Sequence, residues 1–140
     1  MKKEVKNLDK AKVKILLVDD VSWDSEIVTK LLMRRYGYGP IVVANDGLEA
    51  LEKIKKNNFD LVLMDVFMPR MDGFTAIQAI RQNDEHKNLP IIVIMASAFN
   101  GHRRQAEEAG ADYFMPKPLD FALLDAKMEE LLTKEDTPSA

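Results

Sequence analysis

Short apolar runs recur along the 140-residue chain, and three of them end on charge. Ile15-Leu16-Leu17-Val18 runs into Asp19-Asp20, Leu61-Val62-Leu63-Met64 into Asp65, and Tyr113-Phe114-Met115-Pro116 into Lys117. Runs of this length without polar alternation predict strands buried on both faces, as in a parallel sheet. Five strands are predicted: Val13 to Val18, Pro40 to Ala44, Asp60 to Met64, Pro90 to Met95 and Asp112 to Met115. Between them the apolar residues change to helical spacing. Ile27, Val28, Leu31 and Leu32 share one stripe that ends at Gly37. Leu48, Leu51 and Ile54 give a second helix its buried side, behind the capping pattern Asp46-Gly47-Leu48-Glu49. Phe74, Ile77 and Ile80 mark a third helix, and Gly101 to Ala109 a fourth that stops at Gly110. Phe121, Leu124, Met128, Leu131 and Leu132 mark the fifth. Residues 1–11 read as a flexible charged leader, 12–133 as one domain and 134–140 as a flexible tail.

Five strands alternating with five helices, joined by right-handed crossovers, predict an α/β fold with a doubly wound parallel sheet. The strand order most often seen for five such units is the flavodoxin-like 2-1-3-4-5, which makes strands 1 and 3 neighbours at the switch point. In such sheets functional groups gather just past the carboxyl ends of the strands. That order therefore collects Asp19, Asp20 and Asp65 in one place, with Lys117 close by.

Composition narrows the chemistry. The chain is 46% apolar and 31% charged with a net charge of −3, so it has no overall basic field for nucleic acid. Paired basic residues such as Arg34-Arg35, Lys55-Lys56 and Arg103-Arg104 read as solvated helix faces. The absence of cysteine excludes disulfides, thiolate metal sites and cysteine nucleophiles. The longest apolar stretch, Leu89 to Phe99, is too short for a bilayer and contains Pro90. The opening Met-Lys-Lys-Glu-Val-Lys-Asn has no apolar core behind it, so it does not read as a secretory signal. The expectation is a cytoplasmic protein with no direct contact to membrane or nucleic acid.

Carboxylates held a few ångströms apart repel one another, and a divalent cation resolves the conflict. Mg²⁺ (or Mn²⁺) favours oxygen ligands, keeps several waters and accepts phosphate oxygens as well. With the cation bound, Asp65 becomes a nucleophile toward a phosphoryl donor, while Lys117 offsets charge on the transferring group. Taken singly, Asp19 or Asp20 would more simply cap the next helix, and a lysine between prolines would be a surface residue. The combination favours a phosphoacceptor site.

On the residues Val18-Asp19-Asp20, Leu63-Met64-Asp65-Val66-Phe67-Met68-Pro69, Met71-Asp72-Gly73 and Lys117-Pro118, the chain resembles the receiver domains of two-component response regulators. The resemblance covers about residues 12 to 133, and the motif looks most like receivers attached to hybrid histidine kinases. It implies that Asp65 is phosphorylated and that Lys117 contacts the phosphoryl group. It also implies Mg²⁺ ligation by Asp20 and Asp65 directly, by Asp19 through water and by the Phe67 carbonyl, and a cis Lys117-Pro118 bond. The implied partners are a histidine kinase or histidine phosphotransfer protein, and a downstream protein. A homodimer through helix 4, strand 5 and helix 5 is a further implied assembly. Catalysis would be confined to the domain's own phosphorylation and dephosphorylation.

The pattern breaks at the end of the fourth strand. Receivers carry Thr or Ser where this chain has Met95, before Ala96 and Ser97. A thioether has no proton to donate to a phosphoryl oxygen. Met95 is either a core-filling residue or a sign that the switch through Phe114 is weakened, with Ser97 a substitute hydroxyl if the loop is shifted. His86 and His102 read as surface residues, and Trp23 as packing or a reporter of metal binding. Gly37, Gly39, Gly47 and Gly73 read as caps and turns. Two other functions compete. A haloacid-dehalogenase-like phosphatase also uses aspartate, Mg²⁺ and lysine, but it wants Asp-x-Asp after the first strand. A receiver-like interaction module that never uses phosphate is the other, and Met95 favours it.

Overall fold

The computed structural model describes residues 8–66, 71–95 and 100–133. Its elements are β1 (Ile15–Val18), α1 (Ser22–Lys30), β2 (Ile41–Ala44), α2 (Gly47–Lys56), β3 (Leu61–Asp65), α3 (Gly73–Gln82), β4 (Ile91–Met95), α4 (Asn100–Ala109), β5 (Tyr113–Pro116) and α5 (Phe121–Thr133). All five strands are parallel, in the order β2-β1-β3-β4-β5. The expected strands and helices are all present, with boundaries shifted by a residue or two.

Successive residues of a strand point to opposite faces, and both faces here are covered. Leu16, Val18, Val62, Met64, Val93 and Met95 pack with α2, α3 and α4 through residues such as Ile54, Ile77 and Ala106. Ile15, Leu17, Leu61, Leu63, Ile92 and Ile94 pack with Leu32, Leu124 and Met128 on the other side. Central strands buried on both faces are why β1, β3 and β4 are almost wholly aliphatic.

Three of the helix starts are fixed by carboxylates. Asp46 Oδ1 accepts the Glu49 amide at 2.9 Å, and the Glu49 side chain returns to the Asn45 amide at 2.9 Å. Asp72 caps α3 through the Thr75 amide at 2.9 Å, and Asp120 caps α5 through the Leu123 amide at 3.1 Å. Helix α1 continues through Leu31–Arg35 as a wider π turn, before Gly37 takes a positive φ of 78°.

Three expectations are corrected. Ile27 is 47% exposed and Leu48 39%, although helical spacing placed both on buried stripes. On α2, Ile54 is buried as expected and Leu51 packs against the core, but Gly47 and Ala50, not Leu48, complete the buried side. Lys10 and Ala11, read as the end of a flexible leader, belong with Lys12 to a 3-10 turn docked on α5. Lys10 Nζ lies 3.0 Å from Asp125 and 3.2 Å from Glu129, so two carboxylates hold the segment in place. His86 and His102 are half-buried rather than fully exposed. Among the described residues, no helix is long and apolar enough to cross a membrane.

Candidate functional site at the carboxyl edge of the sheet

Strand register brings the acids together. Val18 pairs with Met64, so the next residues, Asp19 and Asp65, leave adjacent strands side by side. Period two puts both on the face of Leu17 and Leu63, toward α1 and α5. Asp19 is buried, and Asp65 has a side chain 12% exposed. Asp20 is exposed. One carboxylate oxygen from each of Asp19, Asp20 and Asp65 can be chosen so that all three lie within 4.8 Å of one another. Asp19 also shapes the backbone, since its Oδ1 accepts the Val21 amide at 2.9 Å and turns the chain into α1. This bond closes a turn ahead of the helix and is not a helix cap: the N-cap residue of α1 is Val21, which makes no side-chain capping hydrogen bond.

Lys117 arrives from β5. Its amide donates to the Met95 carbonyl at 2.6 Å, which ties the loop after β5 to the end of β4. The Lys117–Pro118 peptide bond is cis. The ammonium Nζ lies 3.6 Å from Asp65 Oδ2. Beside these groups a pocket of about 490 Å³ opens between α1 and the start of α5, with Ile27, Val28, Leu119 and Phe121 among its walls. This explains the exposure of Ile27, which rims the pocket.

The donor set fits a small hard cation. Octahedral Mg²⁺ with oxygens at about 2.1 Å has ligand atoms about 3 Å apart at neighbouring corners and about 4.2 Å apart across the ion. A cluster within 4.8 Å needs only small side-chain rotations to reach that spacing.

Met95 is fully buried in the α2–α3–α4 side of the core, and Phe114 packs against the same cluster. Arg103 of α4 lies over the Phe114 ring, 5.2 Å from its centroid. Sequence pattern alone places Arg103 on a solvated face, and no spacing rule links residues across a helix-to-strand turn. Phe67, Ala96, Ser97 and the Trp23 side chain lie outside the described residues.

The chain matches the model of the response regulator receiver domain over residues 15–129. It belongs to that family. It is 38% identical over 122 residues to chemotaxis protein CheY-3 of Vibrio cholerae, covering 87% of this chain and 93% of that protein. It is 40% identical over 127 residues to hybrid signal transduction histidine kinase M of Dictyostelium discoideum. There the match covers 87% of this chain but spans only 5% of the kinase's length. Among solved structures, the receiver domain of the Pseudomonas aeruginosa sensor histidine kinase PA1611 superposes with a TM-score of 0.80 at 29% identity. That match covers 87% of this chain and 98% of that one, and that structure holds a magnesium ion in its active-site cleft. The receiver is a signalling domain of two-component systems.

Proposed function

We propose that this receiver accepts a phosphoryl group on Asp65 from a phosphohistidine of a histidine kinase or phosphotransfer protein. The single observation that carries the reading is the convergence of Asp19, Asp20 and Asp65 within 4.8 Å, with Lys117 3.6 Å from Asp65. An Asp65 carboxylate oxygen forms the new bond to phosphorus, the donor's P–N bond breaks, and the imidazole leaves with the electron pair. The Lys117 ammonium offsets the charge on the phosphoryl oxygens and keeps Asp65 aimed at the mouth of the site. Asp19, Asp20, Asp65 and the Phe67 carbonyl would hold Mg²⁺, or Mn²⁺ in its place, which when bound lowers the repulsion between carboxylates and phosphate. The apolar rim at Ile27 suits docking of the donor protein, because a donor reaching Asp65 passes over it.

The phosphorylated domain passes on its signal by binding a downstream protein or by onward phosphorelay, with the α4–β5–α5 face as a candidate homodimer surface, in the cytoplasm. The buried Met95 favours a second reading, an interaction module independent of phosphate. Intact-mass spectrometry after incubation with acetyl phosphate and Mg²⁺ separates the two. The phosphoacceptor reading expects one adduct in the wild type, none in Asp65→Asn and none without a divalent ion. A folded wild type that takes no phosphoryl group from acetyl phosphate, a kinase or a phosphotransfer protein would leave the second reading standing.

A further inference from the structure

Val66 and Met71, the described residues on either side of 67–70, are each held by the first residue of a helix. The Gly73 amide, at the start of α3, donates to the Val66 carbonyl at 2.9 Å. The Gly47 amide, at the start of α2, donates to the Met71 carbonyl at 3.2 Å. Each glycine directly follows an aspartate that caps its helix, so neither helix start is free to slide.

Neither point has space for a side chain. A Cβ on Gly73 would stand 2.5 Å from the carbonyl oxygen of Asp65 and 2.9 Å from Val66 Cα. A Cβ on Gly47 would stand 2.7 Å from the Met71 carbonyl oxygen and 2.9 Å from Met71 Cγ. The nearest atom in each case is backbone and cannot swing aside. Both glycines are buried, and neither has the positive φ that makes glycine necessary at Gly37 and Gly110. What they supply is therefore close approach, not conformational freedom.

We infer that Gly47 and Gly73 are positioning residues that hold the backbone at Asp65, Val66 and Met71 and thereby aim the Asp65 carboxylate at Asp19, Asp20 and Lys117. This rests on Asp65 being the phosphoacceptor. Restoring ordinary contact of 3.4 Å at a Gly73 methyl requires a relative displacement of roughly 0.9 Å between Gly73 and the backbone of Asp65. Reactive groups need to be held to within about 0.5 Å of productive geometry, so a shift of this size matters to the chemistry and not only to packing. Gly47 acts one step further away, through Met71.

The test compares the full chain with Gly73→Ala, Gly47→Ala and Ile54→Ala. Ile54 is buried on α2 away from the loop, so its variant controls for lost stability. Three quantities are measured: urea stability, Mg²⁺ affinity by calorimetry, and the initial rate of adduct formation from acetyl phosphate at saturating Mg²⁺. Both glycine variants are expected to slow adduct formation by between about tenfold and a hundredfold. Both should also weaken Mg²⁺ binding, with Gly73→Ala the more severe, while Ile54→Ala loses stability and keeps its rate. Glycine variants that are destabilised yet keep wild-type rate and Mg²⁺ affinity would overturn the inference. If Gly73→Ala does not fold, Gly47→Ala carries the test alone. Failure of both to fold would overturn it too, since the glycines would then hold the fold and not aim the carboxylate. A wild type that binds Mg²⁺ but takes no phosphoryl group would sink the phosphoacceptor reading, while the Mg²⁺ affinities would still decide the clasp.

Discussion

Lys117 places one positive charge 3.6 Å from Asp65, in a cluster of three carboxylates. Replacing it by glutamine makes the cluster more negative, so Mg²⁺ should bind several-fold more tightly while adduct formation slows. Calorimetric Mg²⁺ titration and intact mass read the two effects separately, and a fall in both would contradict the charge argument. Met95 offers a second residue-scale expectation. Its side chain is fully buried, so Met95→Thr leaves a void and puts a hydroxyl into an apolar core, at a cost of about 2 kcal/mol. Its carbonyl still holds the Lys117 amide, so adduct formation at Asp65 should be unchanged at low temperature. Urea unfolding and intact mass check the two halves. The acids and the lysine were legible in the sequence because each ends an apolar run, and parallel strands deliver their ends to one edge. Ile27 and Leu48 were misplaced because helical periodicity identifies an apolar face without saying what covers it.

At the scale of elements, the helices are joined to the sheet by polar hubs as well as by apolar contact. Arg81 of α3 donates from Nε to the Gly110 carbonyl at 2.9 Å, and from one terminal nitrogen to the His86 and Leu89 carbonyls at 3.1 and 2.6 Å. Its other terminal nitrogen meets Asp112 Oδ2 at 3.1 Å, and that same oxygen accepts the Ile91 amide at 2.8 Å. One guanidinium thus ties α3 to the start of β4 and to the turn between α4 and β5. Arg81→Ala removes the donor to the part-buried Gly110 and Leu89 carbonyls and one of the two donors at His86 and Asp112, and should cost about 3 kcal/mol. Arg81→Lys should recover little of it, since an ammonium lacks the planar fork. Urea midpoints of the two variants decide the matter. No sequence rule announces such a hub. Its acceptors are mostly carbonyls, which every residue carries, and the selection of these comes from the tertiary fold. The 3-10 turn at Lys10 was hidden for the same reason, because its partner Asp125 lies 115 residues away.

The molecule as a whole is closed by that turn, and its closure should be visible as alkaline sensitivity. Tyr38 is buried between the Lys10 turn and α5, and its hydroxyl donates to Asp125 Oδ1 at 2.7 Å. Burial, then the hydrogen bond to Asp125 and the charges of Asp125 and Glu129, push its pKa far above the ordinary phenol value. For Lys10, burial works against the charge, but hydrogen bonds to Asp125 and Glu129 outweigh it and the ammonium is raised above 10.5. In the unfolded chain the phenol ionises near its usual value of about 10 and the ammonium near about 10.4. The folded protein keeps both protons beyond that point. It then binds more protons than the unfolded chain, so stability falls as pH rises. The contribution of both groups is fully present below about pH 10 and is lost upward from there. Tyr38→Phe should cost about 1 kcal/mol at neutral pH through the lost hydrogen bond. Above pH 10 the same variant should lose stability less steeply than the wild type, by up to about 1.4 kcal/mol per pH unit for the one proton removed. The other tyrosines and lysines titrate alike in both proteins and cancel in the comparison. Urea unfolding from pH 7 to 12 supplies the curves, and parallel slopes above pH 10 would show that Tyr38 is not the group that the closed fold keeps protonated.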